Sequence, residues 1–458
     1  MRIMNYSKKN TITKQSYSMQ VIFVIHLLLM LYISKEFLNS EIYFTYFLNL
    51  AQNDFGWIAP AYILGNENDF IRSLGDAYRL PVYVIFQSFF VKFFENPIAS
   101  IKIAQIILSS LLIPLSFSIS RHLSRSDNTS LFVSVVVALW LPLHVYSLNL
   151  TGETFSIFLY AILVLLMVKY FRSREDRYLY FIGLVVGLMT LTKSNQILLL
   201  ISLFIMLLYL HKNLIKSLIL ITKTSFIVLL IIAPWSYFIS THNNTVILTS
   251  VLGPQAFVRY NGLRDQPKNT ILGKTIAKYN LHNEADTKKF NSVYKTRPNP
   301  CTDIVVKYLL NNKKHSREKD VYLGKKECYD WSDQSELINS SKNGVMEIYY
   351  KQWSDRTLGS AMYGIAKVAH AFGASFRGLK DYMSLLLFAA SFIGAFLLWK
   401  KNLYRDFVML YWASLMTFSI NAFLLMGFIR YRVIFFDLVA VIIIGLMLSV
   451  VLFKTEAK

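Results

Sequence analysis

Cysteine is nearly absent from this 458-residue chain, which has only Cys301 and Cys328. A disulfide-stapled fold and a cysteine-built zinc site are thereby excluded. The 8 histidines are scattered with no pair at metal-ligand spacing, so no metal and no other cofactor is expected. Proline (10) and glycine (18) are few, and neither collects into a linker or a low-complexity stretch. Acidic residues are short too, 27 against 48 lysines and arginines. Soluble-enzyme motifs are missing. Gly273-Lys274-Thr275 imitates the end of a phosphate-binding loop, but the glycine required five positions earlier is Lys268.

What the chain has in excess is apolar sequence: 54% of residues are hydrophobic and the mean hydropathy is +0.41. Apolar runs lie near 20–34, 80–94, 103–120, 130–148, 155–168, 178–192, 195–210, 217–239, 383–399, 406–428 and 433–453. Most approach the roughly 17–25 residues that cross a hydrocarbon core, and their centres are almost free of charge. The formal charge of +21 therefore does not mark a nucleic-acid binder. Its short basic clusters sit between apolar runs, where they set membrane topology. The first run follows a basic N-terminus and leads into Ser34-Lys35-Glu36-Phe37 without a small-residue cleavage pattern, so it reads as an uncleaved span.

Counting all eleven runs as spans puts the clusters at 121–125, 169–177 and 400–405 outside, against the bias of short loops. One run resolves this. Residues 80–94 are short, aromatic, and hold Gln87 and Lys92, which suits a helix in the interface plane. The sequence thus predicts an all-α polytopic membrane protein with about ten transmembrane helices, an interfacial helix in the first external loop and a small external lobe. Its parts are a cytoplasmic tail (1–19), a membrane core (20–239) containing the external loop 36–102, an external lobe (240–382) and the C-terminal spans (383–458). Both termini fall inside, and the location implied is a bacterial inner membrane. Cys301 and Cys328 both fall in the external lobe, where one disulfide bridge is expected and two unpaired thiols are the alternative.

Ionisable residues then gather on one membrane face, where each is a functional candidate. Glu153 caps the turn between the third and fourth spans, either as a helix N-terminal carboxylate or as a substrate contact. Lys193 ends the fifth span, and Arg430-Tyr431-Arg432 opens the last; these cations either reach for headgroups or hold an anionic substrate. Arg79 stands where the interfacial helix begins, just before Tyr83. Carboxylates and cations together suit sugar transfer from a lipid phosphate, in which a base takes the acceptor's proton and cations hold the departing phosphate. An anion transporter or a lipid-binding protein has use for the same charges.

The order of several segments resembles the GT-C superfamily of membrane glycosyltransferases, nearest to the group of protein O-mannosyltransferases and the lipid A aminoarabinose transferase. They are Tyr78-Arg79-Leu80-Pro81-Val82-Tyr83, the basic turn Ser118–Arg125, Thr151-Gly152-Glu153-Thr154, Leu191-Thr192-Lys193-Ser194-Asn195, Pro234-Trp235, Ser250 through Tyr260-Asn261-Gly262, and Arg430-Tyr431-Arg432. Two depart from the family pattern: Gly152 is inserted before Glu153, and Ser194 replaces a proline. The resemblance implies a polyprenyl-phosphate-linked sugar donor, an acceptor that is glycan, lipid or protein, and no strict need for metal. It also implies a catalytic acid in the first external loop, for which Glu41 in Asn39-Ser40-Glu41-Ile42-Tyr43 is the first candidate and Asp54 the second. A surface-polysaccharide polymerase or ligase is the second reading and a lipid-linked sugar transporter the third. A transporter would place ionisable groups near the bilayer midplane, where His26 is the exception among otherwise clean spans.

Overall fold

The computed structural model describes residues 2–39, 60–61, 64–66, 68–74, 79–244, 246–250, 271–279, 281, 354, 357–372, 379–424 and 432–453. Glu41, Asp54, Arg430, Cys301 and Cys328 lie outside these residues. The described elements are helical, with no strand among them. In order they are α1 (Arg2–Asn39), α2 (Phe70–Leu74), α3 (Pro81–Phe93), α4 (Pro97–Ser110), α5 (Leu112–Ser124), α6 (Asp127–Leu139), α7 (Leu141–His144), α8 (Glu153–Ser173), α9 (Asp176–Thr190), α10 (Leu199–His211), α11 (Leu214–His242), α12 (Ile271–Lys278), α13 (Thr357–Ala371), α14 (Leu379–Lys400), α15 (Arg405–Leu424) and α16 (Leu438–Leu452). Single turns, Val145–Leu148, Ser194–Leu198 and Val433–Asp437, precede α8, α10 and α16 respectively.

Eight stretches among the described residues are long and apolar enough to cross a membrane, and nine if the pair 127–139 and 141–148, bent by 70°, is one span. α9, with 15 residues, stands where the remaining expected span falls, packed between α8 and α11. The chain is thus an all-α polytopic membrane protein. The sequence reads 130–148 as unbroken, but it bends at Trp140. The cause is local, because Pro142 has no N–H to donate to the Ala138 carbonyl and its ring would clash there, so the helix breaks before it. α3 has 13 residues. At 1.5 Å per residue it reaches about 20 Å, too short for a hydrocarbon core of about 30 Å.

Connections alternate between two ends of the bundle. At one end α5, α8 and α10 finish on Arg125, Arg174 and Lys212, each left-handed with φ between 49° and 58°. Such a cap satisfies terminal carbonyls, and a cation there suits the negative end of the helix dipole. Arg121 pairs with Asp127 at 2.8 Å, and Lys223 with Asp176 at 3.2 Å. These are the same basic loops that decide the topology in the sequence.

Two helices are brought close by glycine. Gly183 and Gly187 are four apart on α9, and a Cβ on either would come within 2.9 Å of Ile227 or Ile231 on α11. Close backbone approach of this small-xxx-small kind compensates for the weak hydrophobic drive between helices in lipid. At the centre is the last span, 433–452, with 78% of its most apolar window buried, against 17% for the first. α1 is therefore a peripheral helix. It is held on α4 by a small cluster of Met30, Ile106 and Leu148 and by a 3.0 Å contact of His26 Nδ1 with Ser110 Oγ.

Candidate active site

Pro81 occupies the first turn of α3, where its missing N–H costs nothing; Leu80 caps the helix, and the half-buried Arg79 stands just before that cap. The start is pinned from two sides. The Val82 N–H donates to the Leu191 carbonyl at 3.3 Å, and the buried Tyr83 hydroxyl donates to Gln105 Oε1 at 2.6 Å. Gln105 in turn donates from Nε2 to the Asn149 carbonyl at 2.6 Å. This polar chain ties α3, α4 and the turn before α8 together.

Gly152 is where three segments distant in sequence come together. A Cβ there would lie 3.4 Å from Thr192 Cγ2 and 3.5 Å from the Tyr83 ring, so three motifs distant in sequence touch at this point. Glu153, directly after it, is the first residue of α8, where the helix dipole favours a carboxylate. Lys193 enters from the turn after α9 and donates from Nζ to Glu153 Oε1 at 2.5 Å, with the two side chains only 10% and 4% exposed. One turn on, Asn195 Nδ2 donates to Asn421 Oδ1 of α15 at 3.0 Å. Arg79, Tyr83, Glu153 and Lys193 therefore share one end of the bundle, opposite the basic turns.

Arg432 sits elsewhere at that end and is 1% exposed. Its guanidinium grips Asp437 twice, Nε to Oδ1 at 2.6 Å and an Nη to Oδ2 at 3.0 Å, and donates to the Ala371 carbonyl at 3.1 Å. It thus fastens the last span to the end of α13. The residues between form a π turn, and the i to i+5 register sets Asp437 beneath Arg432. On α13 itself, outside the spans, burial pushes Lys367 down to about 7. No group of three metal-ligating side chains is drawn together among the described residues.

Sequence reasoning missed four polar residues that organise this end: Gln105, Gln196, Asn421 and Asp437. Each is buried inside or beside an apolar run, and an isolated carboxamide or carboxylate in such a run was the available signal. What the arrangement offers chemically is a buried carboxylate–ammonium pair, a tyrosine and an arginine at the end of a short helix. Those are groups able to position a polar headgroup and hold an anion.

Comparison with known proteins follows this geometry. Residues 79–238, which is 160 of the 458, match the family model of dolichyl-phosphate-mannose-protein mannosyltransferase. The match runs from Arg79 past Lys193 and supports a membrane glycosyltransferase of the GT-C superfamily, as the ordered motifs suggested. No curated protein and no solved structure matches the chain.

Proposed function

We propose that this GT-C-type chain moves a sugar from a polyprenyl-phosphate donor to an acceptor on the external face of a bacterial inner membrane. The observation that carries the reading is the meeting of Tyr83, Gly152, Glu153, Thr192 and Lys193 at the bundle end away from the basic turns. Short basic loops mark the cytoplasmic side, so the opposite end is external. A donor phosphate is an anion that arrives sideways from the bilayer, and a site at the membrane surface suits it.

In the proposed reaction a carboxylate of the first external loop, Glu41 before Asp54, takes the proton of the acceptor nucleophile. The nucleophile forms a bond to the anomeric carbon as the bond from that carbon to the phosphate oxygen breaks. Polyprenyl phosphate leaves with the electron pair, and Arg79 and Arg430 hold the charge that builds on it. Lys193 and Glu153 shape the adjoining polar surface. Arg432, bound to Asp437, keeps the last span in register. The acceptor is a cell-envelope glycan, lipid or protein, which the external lobe at 240–382 would help to select.

The test is mass spectrometry of surface glycans and glycolipids from cells with the gene intact, deleted or carrying Glu41→Gln. Loss of one defined sugar in both altered strains is expected. Accumulated single repeat units would instead mean a polymerase, and undecorated precursor on the cytoplasmic leaflet a transporter. Arg430→Ala is expected to weaken donor binding; unchanged apparent affinity and turnover would reduce that arginine to a headgroup anchor.

A further inference from the structure

Buried polar atoms without a hydrogen bond are rare in folded proteins, because each loses water and gains nothing. Among the described residues, Gln87 Oε1, Thr154 Oγ1, Ser156 Oγ, Asn421 Nδ2 and both Oε1 and Nε2 of Gln196 meet no partner, and so do atoms of His26, Thr129 and Trp140. The first set belongs to α3, α8, α15 and the turn before α10. Gln87 lies on α3 and reaches the Leu150 carbonyl from its other end at 3.5 Å. Thr154 and Ser156 follow Glu153 on α8. Gln196 lies three residues after Lys193, with its N–H bonded to the Lys193 carbonyl at 3.0 Å. Lys193 is the extended residue that precedes this 3₁₀ turn, and Gln196 lies buried within it.

Gln196 is the telling member. It is fully buried, yet its carboxamide, with two donor and two acceptor positions, finds no partner among the described residues. Asn421, also fully buried, spends its oxygen on Asn195 and leaves its N–H₂ unused. An apolar residue of the same size would avoid this cost at Gln196. Donors and acceptors in equal supply, without charge of their own, match hydroxyl groups, which both donate and accept.

We propose that Gln196, with Asn421 held beside it through Asn195, forms the subsite that reads the hydroxyl groups of the transferred sugar. The inference rests on the proposed function and assigns its neutral, hydroxyl-rich part, whereas the arginines serve the phosphate. Gln196 is a specificity residue: it orients the sugar and takes no part in bond making.

The experiment uses the full chain in detergent and two short-chain polyprenyl phosphates, one bare and one carrying a hexose. Thermal unfolding is followed with each for the native chain, Gln196→Met and Asn421→Leu. In the native chain the hexose-bearing lipid is expected to raise the midpoint further than the bare one. Gln196→Met should keep the rise given by bare lipid, lose the extra rise given by the sugar, and bind the hexose-bearing lipid about tenfold more weakly. Its ligand-free midpoint should match or exceed that of the native chain, because no existing bond is removed. Asn421→Leu reports separately, should Gln196→Met fail to fold. A retained sugar-dependent rise in both variants overturns the assignment. So does a lowered ligand-free midpoint with both lipid responses lost, which would make the carboxamide a structural anchor for internal water. If neither lipid shifts the native chain, the donor reading itself fails and the subsite falls with it.

Discussion

Glu153 and Lys193 are joined across 40 residues of chain at 2.5 Å, with side chains 4% and 10% exposed. Removing one charge takes the opposite charge away from the other inside the protein, a loss of about 3–5 kcal/mol in such pairs. Glu153→Gln and Lys193→Met should each destabilise the chain by roughly that amount. The double substitution removes both charges and leaves groups of similar size, so it should be more stable than either single variant. The coupling between the sites is then about 3 kcal/mol, well beyond the tenths expected of independent positions. Unfolding in mixed micelles, followed by intrinsic fluorescence, reads all four corners of the cycle. Transfer activity measured on the same four proteins separates scaffold from substrate contact. A purely structural pair regains activity along with stability, whereas a pair that also shapes the donor surface gives a stable double variant with little turnover. Additive losses would refute the buried contact, and a fully active double variant would refute its part in substrate handling.

Arg432→Met alone should cost about 3–5 kcal/mol, because it strands the fully buried Asp437, and the joint change Arg432→Met/Asp437→Leu should recover most of it; a joint variant as unstable as the single one would contradict this. Gly183→Leu should cost at least about 1–3 kcal/mol by forcing α9 off α11, checked by the thermal midpoint against a control at an outward-facing position of α9. Lys367 is depressed to about 7 by burial, so the unfolded chain binds its proton more tightly than the folded one above that pH. Stability should therefore climb between about pH 7 and pH 10, by at most about 1.4 kcal/mol per unit. Lys367→Met should remove this slope, and a slope unchanged by the substitution would show that other groups cause it.

Much of this fold is written in the distribution of apolar runs. Their length sets which segments can span, and the basic turns at Arg125, Arg174 and Lys212 mark one end of the bundle before any coordinates are known. The shortness of 80–94 together with its Gln87 and Lys92 already argues against a span, and a 13-residue helix stands there. The bend at Trp140 was legible from Pro142, although hydropathy alone smooths over it. Of the site, the sequence shows Arg79, Tyr83, Glu153 and Lys193 as separate candidates but not that Lys193 reaches Glu153. That contact depends on how α8 and α9 pack, and periodicity carries no such distance. The pairing of Arg432, itself a candidate in the sequence, with Asp437 was hidden for a different reason. Helical pairing is read at three or four residues, and a π turn shifts the partner to five. Gln196 and Asn421 were passed over because a lone carboxamide hardly changes the hydropathy of its run. Its meaning appears only when its hydrogen bonds are sought and not found.

The most direct test of sugar transfer is a reconstituted assay in proteoliposomes, with a polyprenyl-phosphate hexose labelled in the sugar and an envelope extract as acceptor. The native chain is expected to release polyprenyl phosphate in step with the appearance of label on acceptor, and Glu41→Gln to do neither while still inserting normally. Label that only changes leaflet and stays on its lipid, equally with both proteins, would contradict a glycosyltransferase and leave a carrier of lipid-linked sugar in its place.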